Sequence, residues 1–353
     1  MVIKKLVVFL MLFLSMVMIS NAIDVTQCTM INVSGDYQLA NDLTFPGAGI
    51  DCITFNASNI ILDCKGYSIQ HINANGIDLM NTTGSTVKNC VMTNISSIGI
   101  YGGHWEHGGA DNNKIINNSI SLTGQDGIQF AEGSHDNLIE NNTLMHISEY
   151  GIWILGTIGG AGVGANDTII NSNIIHNSTA GVVIEYTLYV NVTNNNISYV
   201  PVLSAGLRPE IDGAGIAYLY SQAGVVYHNN VSDTLNATML MDSDSNLIYN
   251  NNFIDNIINS FDNGTGNNWN TTDSGNYWSN FDTAGEGCTD AGSGLCNEDY
   301  TIPGISGAKD YNPYNTVSGW LGTGASDADN VAPIVTLNTN NNSIFGSTTV
   351  SLN

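Results

Sequence analysis

Within eight residues, His104, Trp105, Glu106, His107 and Asp111 gather two imidazoles, two carboxylates and an indole. Such a set could ligate a metal ion through nitrogen and oxygen, or hold a sugar with Trp105 as the stacking platform. The two histidines are offset by three residues, which fits neither a helical His pair nor a finger spacing, so a solvated loop around a half-buried Trp105 is the plainer reading. Tyr101 and Trp153 form a second candidate set, with Gln129 between them and Glu185 above. Aromatic rings flanked by hydrogen-bonding groups on a flat sheet can stack against a saccharide. His146 and His176 fall at equivalent places in adjacent units and are expected to be neighbours, but two imidazoles with no Met or Cys beside them make a poor copper site. His228 falls in an Asn column, where a polar structural role fits better.

Acid–base chemistry would need converging carboxylates. Gln125-Asp126, Glu149, Glu185, Glu210 and Asp212 are available but form no recognisable pair. A lyase would also need a basic residue as base, and past the first 22 residues there are only Lys65, Lys88, Lys114, Arg208 and Lys309. Enzymatic activity is therefore not the expectation.

These residues must be positioned by a repeat. Asn113-Lys114-Ile115-Ile116-Asn117-Asn118 recurs as Asn137-Leu138-Ile139-Glu140-Asn141-Asn142 and as Asn246-Leu247-Ile248-Tyr249-Asn250-Asn251. In register, the last positions read Cys64, Cys90, Asn118, Asn142, Ser172, Asn195, Asn229 and Asn251, with steps of 22 to 34 residues. Gly plus an aliphatic follows in most units, as in Gly99-Ile100, Gly127-Ile128, Gly151-Ile152 and Gly181-Val182. Runs of three to six residues rich in Ile, Val, Thr, Asn and Gly, without 3.6-residue periodicity, exclude the helical solenoids. Each unit reads as one coil of strands and turns. Stacked coils lie about 4.8 Å apart, so inward Ile and Val form columns and the Asn residues form a ladder. Asn suits the corner because it tolerates left-handed backbone and its amide can bond to the Asn above and below. The predicted fold is all-β: a parallel β-helix of about 8–10 coils with an N-terminal cap and an irregular C-terminal cap.

Residues 1–22 read as a secretory leader, with Lys4 and Lys5, an apolar run and a small-residue cleavage site. The expected location is extracellular, secreted or on the cell surface. A net charge of −24 argues against nucleic acid or an anionic membrane as partner. About fifteen Asn-x-Ser/Thr sequons, Asn32, Asn56, Asn94 and Asn177 among them, suggest a glycosylated exterior. Six cysteines in an exported chain favour three disulfides. Cys64 and Cys90 hold the same repeat position, Cys288 and Cys296 close a short loop, and Cys28 is left for Cys52.

Residues 23–55 are expected to cap the open end of the stack, 56–265 to form the coils and 266–315 the C-terminal cap with its disulfide loop. Residues 316–332 read as a linker. Alternating apolar residues in 333–353 suggest the start of an immunoglobulin-like sandwich. Three coils carry enlarged turns: Gly102 to Asp111 and Gly156 to Asn166 on one side, Val200 to Gly213 on the other. Insertions of this kind are where solenoids usually bind.

Gly275-Asn276-Tyr277-Trp278-Ser279, followed by Tyr300-Thr301-Ile302-Pro303-Gly304 and Asp310-Tyr311-Asn312-Pro313-Tyr314, resembles the closing segment of the NosD-like right-handed parallel β-helix proteins, of the carbohydrate-binding and sugar-hydrolase repeat class. The resemblance spans roughly Asn56 to Tyr314 and implies a right-handed coil. Between these motifs, the Cys288–Cys296 loop stands where such proteins often carry an Asp/Gly-rich stretch. The Asn-Thr-Asp, Asp-Asp and Gly-His-Gly motifs of polygalacturonases are absent. The expected function is non-catalytic glycan binding or surface display, with polysaccharides, surface glycans or other cell-surface proteins as partners. A polysaccharide lyase or glycoside hydrolase is the first alternative, and an export-linked metal-handling protein, implied by the resemblance, the second. No cofactor is required by this reading; Ca2+ is the one left open.

Overall fold

The computed structural model describes residues 22–44, 47, 49–103, 108–131, 133–157, 164–201, 209–290 and 292–321; the leader, the loop 104–107 and the segment 333–353 lie outside them. Short strands wind into a parallel β-helix. One sheet has ten strands, from Ile23–Val25 through Leu138–Glu140 to Leu247–Tyr249. A second sheet of 18 strands folds along its length into two faces. The fold line is clearest within Thr143–Leu155, whose register against Ile174–Glu185 shifts between Ile147 and Tyr150. The cross-section is therefore three-sided, and the faces are called first, second and third in chain order.

Alternation explains which residues are inside. In Leu138–Glu140 the middle residue Ile139 is fully buried while its neighbours are half-buried, and Ile115 and Ile170 stack on it in the adjacent coils. Burying one such side chain contributes about 2 kcal/mol, so the apolar columns are the main source of stability. The glycines of the Gly-aliphatic signature have a packing cause. A Cβ on Gly99, Gly127 or Gly151 would lie 2.5–2.6 Å from the carbonyl oxygen of the equivalent glycine in the next coil. Only a residue without a side chain lets the coils approach this closely.

Between the first and second faces the Asn ladder runs as one chain of amides. Asn118 Nδ2 donates to Asn142 Oδ1, and the pattern repeats to Asn173, Asn195, Asn229 and Asn251 at 3.0 Å each. The sequence register placed Ser172 on this ladder; the rung is Asn173. Ser172 instead takes the left-handed corner just before it, φ 56°, as Asn117 and Asn141 do in their coils. The Cys64–Cys90 disulfide occupies the same column at the N-terminal end, where Asn118 Oδ1 accepts the Cys90 N–H. Cys28–Cys52 and Cys288–Cys296 are also bonded.

At the other end the ladder passes from Asn251 to Asn276 and stops on a buried carboxylate, Asp310, whose Oδ2 accepts the Asn276 N–H at 2.7 Å and the Trp278 indole N–H at 3.0 Å. Burial pushes the Asp310 pKa up to about 6, against the N–H donors that favour its charge. Trp278 stacks on Tyr300 and Phe253 and closes the apolar column. Gly275 leaves no room for a side chain, since a Cβ would sit 2.0 Å from Asp310 Oδ1. The closing motifs are thus a lid.

Two segments depart from the sequence reading. Gly35–Leu39, expected as part of the N-terminal cap, pairs in parallel with Ile60–Asp63 and is a strand of the first face. Thr316 to Leu321, read as linker, folds back: Ser318 bonds to Asn252, and Trp320 stacks on His228.

Candidate functional site

Eight coils place one residue on the outer side of the third face, two positions after Gly in six of them and after Ala237 or Asn259 in the other two. Register fixes the order Asp78, Tyr101, Gln129, Trp153, Val183, Ala217, Met239, Phe261 along the stack. Neighbours in this row are about one strand spacing apart, ~4.8 Å. Gly102 and Gly156, where two of the enlarged turns begin, stand at or just past the C-terminal ends of their strands of this face, and Gly213, where the third ends, immediately precedes the strand Ala214–Leu219.

The row changes character halfway. Val183, Ala217 and Met239 pack with Ile211 from the third enlarged turn and with Ala214 at the start of the strand Ala214–Leu219, in a small apolar cluster outside the main core. Trp153 borders this cluster, with Tyr150 edge-on to it at 5.3 Å between ring centroids. Its indole Nε1 is buried and has no hydrogen-bond partner among the described residues. Gln129, next in the row, is 8% exposed. Tyr101 is half-buried. The open part of the row is therefore Asp78, Tyr101, Gln129 and Trp153.

Carboxyl groups line the same part of the face. Asp78 lies beside Asp51, from the preceding coil; burial, with the Asp51 carboxyl next to it, lifts the Asp78 pKa to about 7, against the Met80 N–H that donates to its Oδ1. Asp126 is fully buried and accepts the Tyr150 N–H, and burial raises its pKa despite that bond, with Glu149 adding to the rise. Burial also raises Glu149. Asp51 and Asp78 escaped the sequence reading although the signal was present: Gly76-Ile77-Asp78 puts Asp78 in the same repeat position as Tyr101, Gln129 and Trp153.

Other candidates fare differently. His104, Trp105, Glu106, His107 and Arg208 lie outside the described residues. Glu185 is not in the row of Trp153: it is buried, in register with Leu155 and Leu219, because the strand continues two residues past the row. Glu210 is exposed and Asp212 buried in the third enlarged turn. Gln125 accepts a hydrogen bond from Ser97 and is part of the neighbouring turn.

The imidazoles His146 and His176 are not equivalent, because the true rung is Asn173. His146 takes a left-handed corner against Asn177, whose amide is 2.7 Å from Nδ1. His176 pairs in register with Met145, bonds to Ser198 and stacks on Tyr199. A methionine is thus beside the pair after all, contrary to the sequence reading. Burial lowers the His176 pKa, and His146 adds to this. An open groove of about 610 Å3 runs along this corner past His71, Leu122 and His146. Among the described residues, no group of three His, Cys, Asp or Glu side chains is placed to hold a metal ion.

Residues 161–283 match the family model described as periplasmic copper-binding protein (NosD), and residues 20–158 match the model for a right-handed β-helix region. The copper of that description has no fitting ligand set among the described residues, since both histidine rings of the one close pair are engaged by their own neighbours. No curated protein matches the chain. Among solved structures, a mutant of the periplasmic alginate epimerase AlgG is similar at TM-score 0.50 and 13% identity, over 70% of this chain and 60% of that one. A lacto-N-biosidase from Eubacterium ramulus gives 0.45 and 12%, over 70% and 57%. The tailspike of an E. coli bacteriophage in complex with a pentasaccharide gives 0.42 and 14%, over 72% and 55%. The chain spans about 60% of the epimerase's length. At these identities the likeness is one of fold.

Proposed function

We propose that this NosD-like right-handed parallel β-helix repeat protein works outside the cytoplasm and holds a saccharide chain along the open part of its third face. The observation that carries this reading is the row Asp78, Tyr101, Gln129, Trp153, in which hydrogen-bonding groups alternate with rings at the strand spacing. Rings take the apolar faces of sugars, and the polar groups take hydroxyls. Three disulfides suit an oxidising compartment. Two aromatic contacts at about 1 kcal/mol each, beyond burial, suit millimolar to micromolar affinity. The test is a glycan array probed with the full chain and with a Tyr101→Ala, Trp153→Ala double variant. Binding that survives both substitutions would place the site elsewhere.

A second reading, hydrolysis or elimination of the bound chain, is favoured by one observation: Asp51 and Asp78 form a carboxyl pair of which one member keeps a proton near neutral pH, as an acid catalyst must. Release of reducing ends from any array ligand, lost in Asp78→Asn, would establish it. Binding without product supports display.

A further inference from the structure

We infer that the chain held on the third face is an uncharged saccharide, with hydroxyl or acetamido groups read by Gln129 and Trp153, and not a polyuronate. This rests on the saccharide reading above and narrows it. The Trp153 Nε1–H is buried and has no hydrogen-bond partner among the described residues, and Gln129, 8% exposed, presents its carboxamide one strand away on the same row. A buried donor without a partner is costly, so an indole N–H on an outward row is poised for a ligand that supplies the missing bond. Between them they offer three N–H donors and one carbonyl acceptor, a set that a neutral hydroxyl or an acetamido group can satisfy.

Charge decides against an acidic sugar. Asp51 and Asp78 share the open part of the face, and Asp126 and Glu149 stand along its edge. Among the described residues, the cations are engaged elsewhere. Lys65 and Lys88 pair with Asp63, Lys309 pairs with Asp299, and Lys114 projects from the first face. The burial that raises Asp78, Asp126 and Glu149 disfavours negative charge on this part of the face, and a row of uronates would add more of it with no counter-charge beside it among the described residues.

The experiment measures binding of the full chain to a neutral hexaose, an N-acetylhexosamine hexamer and a uronate hexamer, at low and at physiological salt. The neutral or acetamido ligand should bind at least ~10-fold more tightly than the uronate. Gln129→Met and Trp153→Phe, which keep volume and ring while removing hydrogen-bonding groups, should each weaken binding roughly 5- to 10-fold with an unchanged melting temperature. Uronate binding equal to or tighter than neutral binding overturns the inference while leaving the saccharide reading standing. Full affinity in both variants also overturns it. If no hexamer of any class binds, it is the saccharide reading itself that falls.

Discussion

Ile139 and Glu140 are neighbours in sequence and opposites in environment. Ile139 is fully buried between Ile115 and Ile170, whereas Glu140 faces out and accepts one bond from Asn171. Ile139→Asp should cost about 4 kcal/mol or more by leaving an unpaired carboxylate in the column, and Glu140→Ala less than about 1 kcal/mol. Denaturant titration of the two variants checks this, and similar midpoints would invert the strand face. Asp78 makes the complementary case for charge. Burial beside Asp51 lifts its folded-state pKa to about 7, so the folded chain holds the proton more tightly than the unfolded one. The resulting stability is complete below the ordinary carboxylate range near 4 and is lost as pH rises through 7. Asp78→Asn, whose carboxamide can still accept the Met80 N–H and donate to Asp51, should leave stability at pH 4 unchanged and raise it at pH 8.5 by on the order of 1–2 kcal/mol. Melting curves at the two pH values test the sign.

At the scale of the element, the rung column is where strand, turn and disulfide meet. Cys64 and Cys90 stand where later coils carry Asn, and their bond closes a separation of 26 residues. Breaking it with Cys64→Ser, Cys90→Ser should cost on the order of 3 kcal/mol. The double change to Asn should cost less, because an amide at position 90 could donate to Asn118 Oδ1, as the rungs above it do, while the Asn118 amide already bonds the Val87 carbonyl of the same coil. Equal losses for the two double variants would show that the column does not accept a rung there. The column also shows how far sequence reaches. Spacing located both cysteines and five of the rungs, but took Ser172 for Asn173, because this unit reads Asn171-Ser172-Asn173 in place of the Asn-Asn pair that marks most coils. That one-residue slip carried His176 with it and hid its pairing with Met145. Side-chain period along a strand is two, so a slip of one reverses every face assignment downstream.

Over the whole molecule, the end of the stack is held by one carboxylate. Asp310 receives the last rung, the Trp278 indole and the Asn312 N–H, and the chain then runs on to dock Trp320 against His228. Gly275→Ala should lever this lid away, since its methyl would collide with Asp310 and the Asn312 carbonyl. Limited proteolysis should then cut after the last coil, near Asn263, well below the melting temperature of the coils. A single cooperative transition with no early cleavage would show the lid to be unnecessary. Repeat stacks without a covered end expose strand edges and apolar columns, which is the reason to expect an early cut.

The coil, its inward columns, the cysteine partners and the motifs that close the stack are legible from local spacing alone, because that spacing is repeated many times and errors in one unit are outvoted by the rest. The sequence also placed Tyr101, Gln129 and Trp153 on one row. Only the tertiary structure decided what that row amounts to. Asp51 and Asp78 are 27 positions apart in the chain and carry no motif, and become a pair because one coil lies on the next. Glu185 was predicted to be displayed and is buried, and Val183, Ala217 and Met239 pack against Ile211 of an enlarged turn, a contact that the turn's own sequence does not announce. Burial, and with it the unpaired Trp153 indole N–H and the shifted carboxyls, depends on what packs from outside the repeat, which periodicity does not encode.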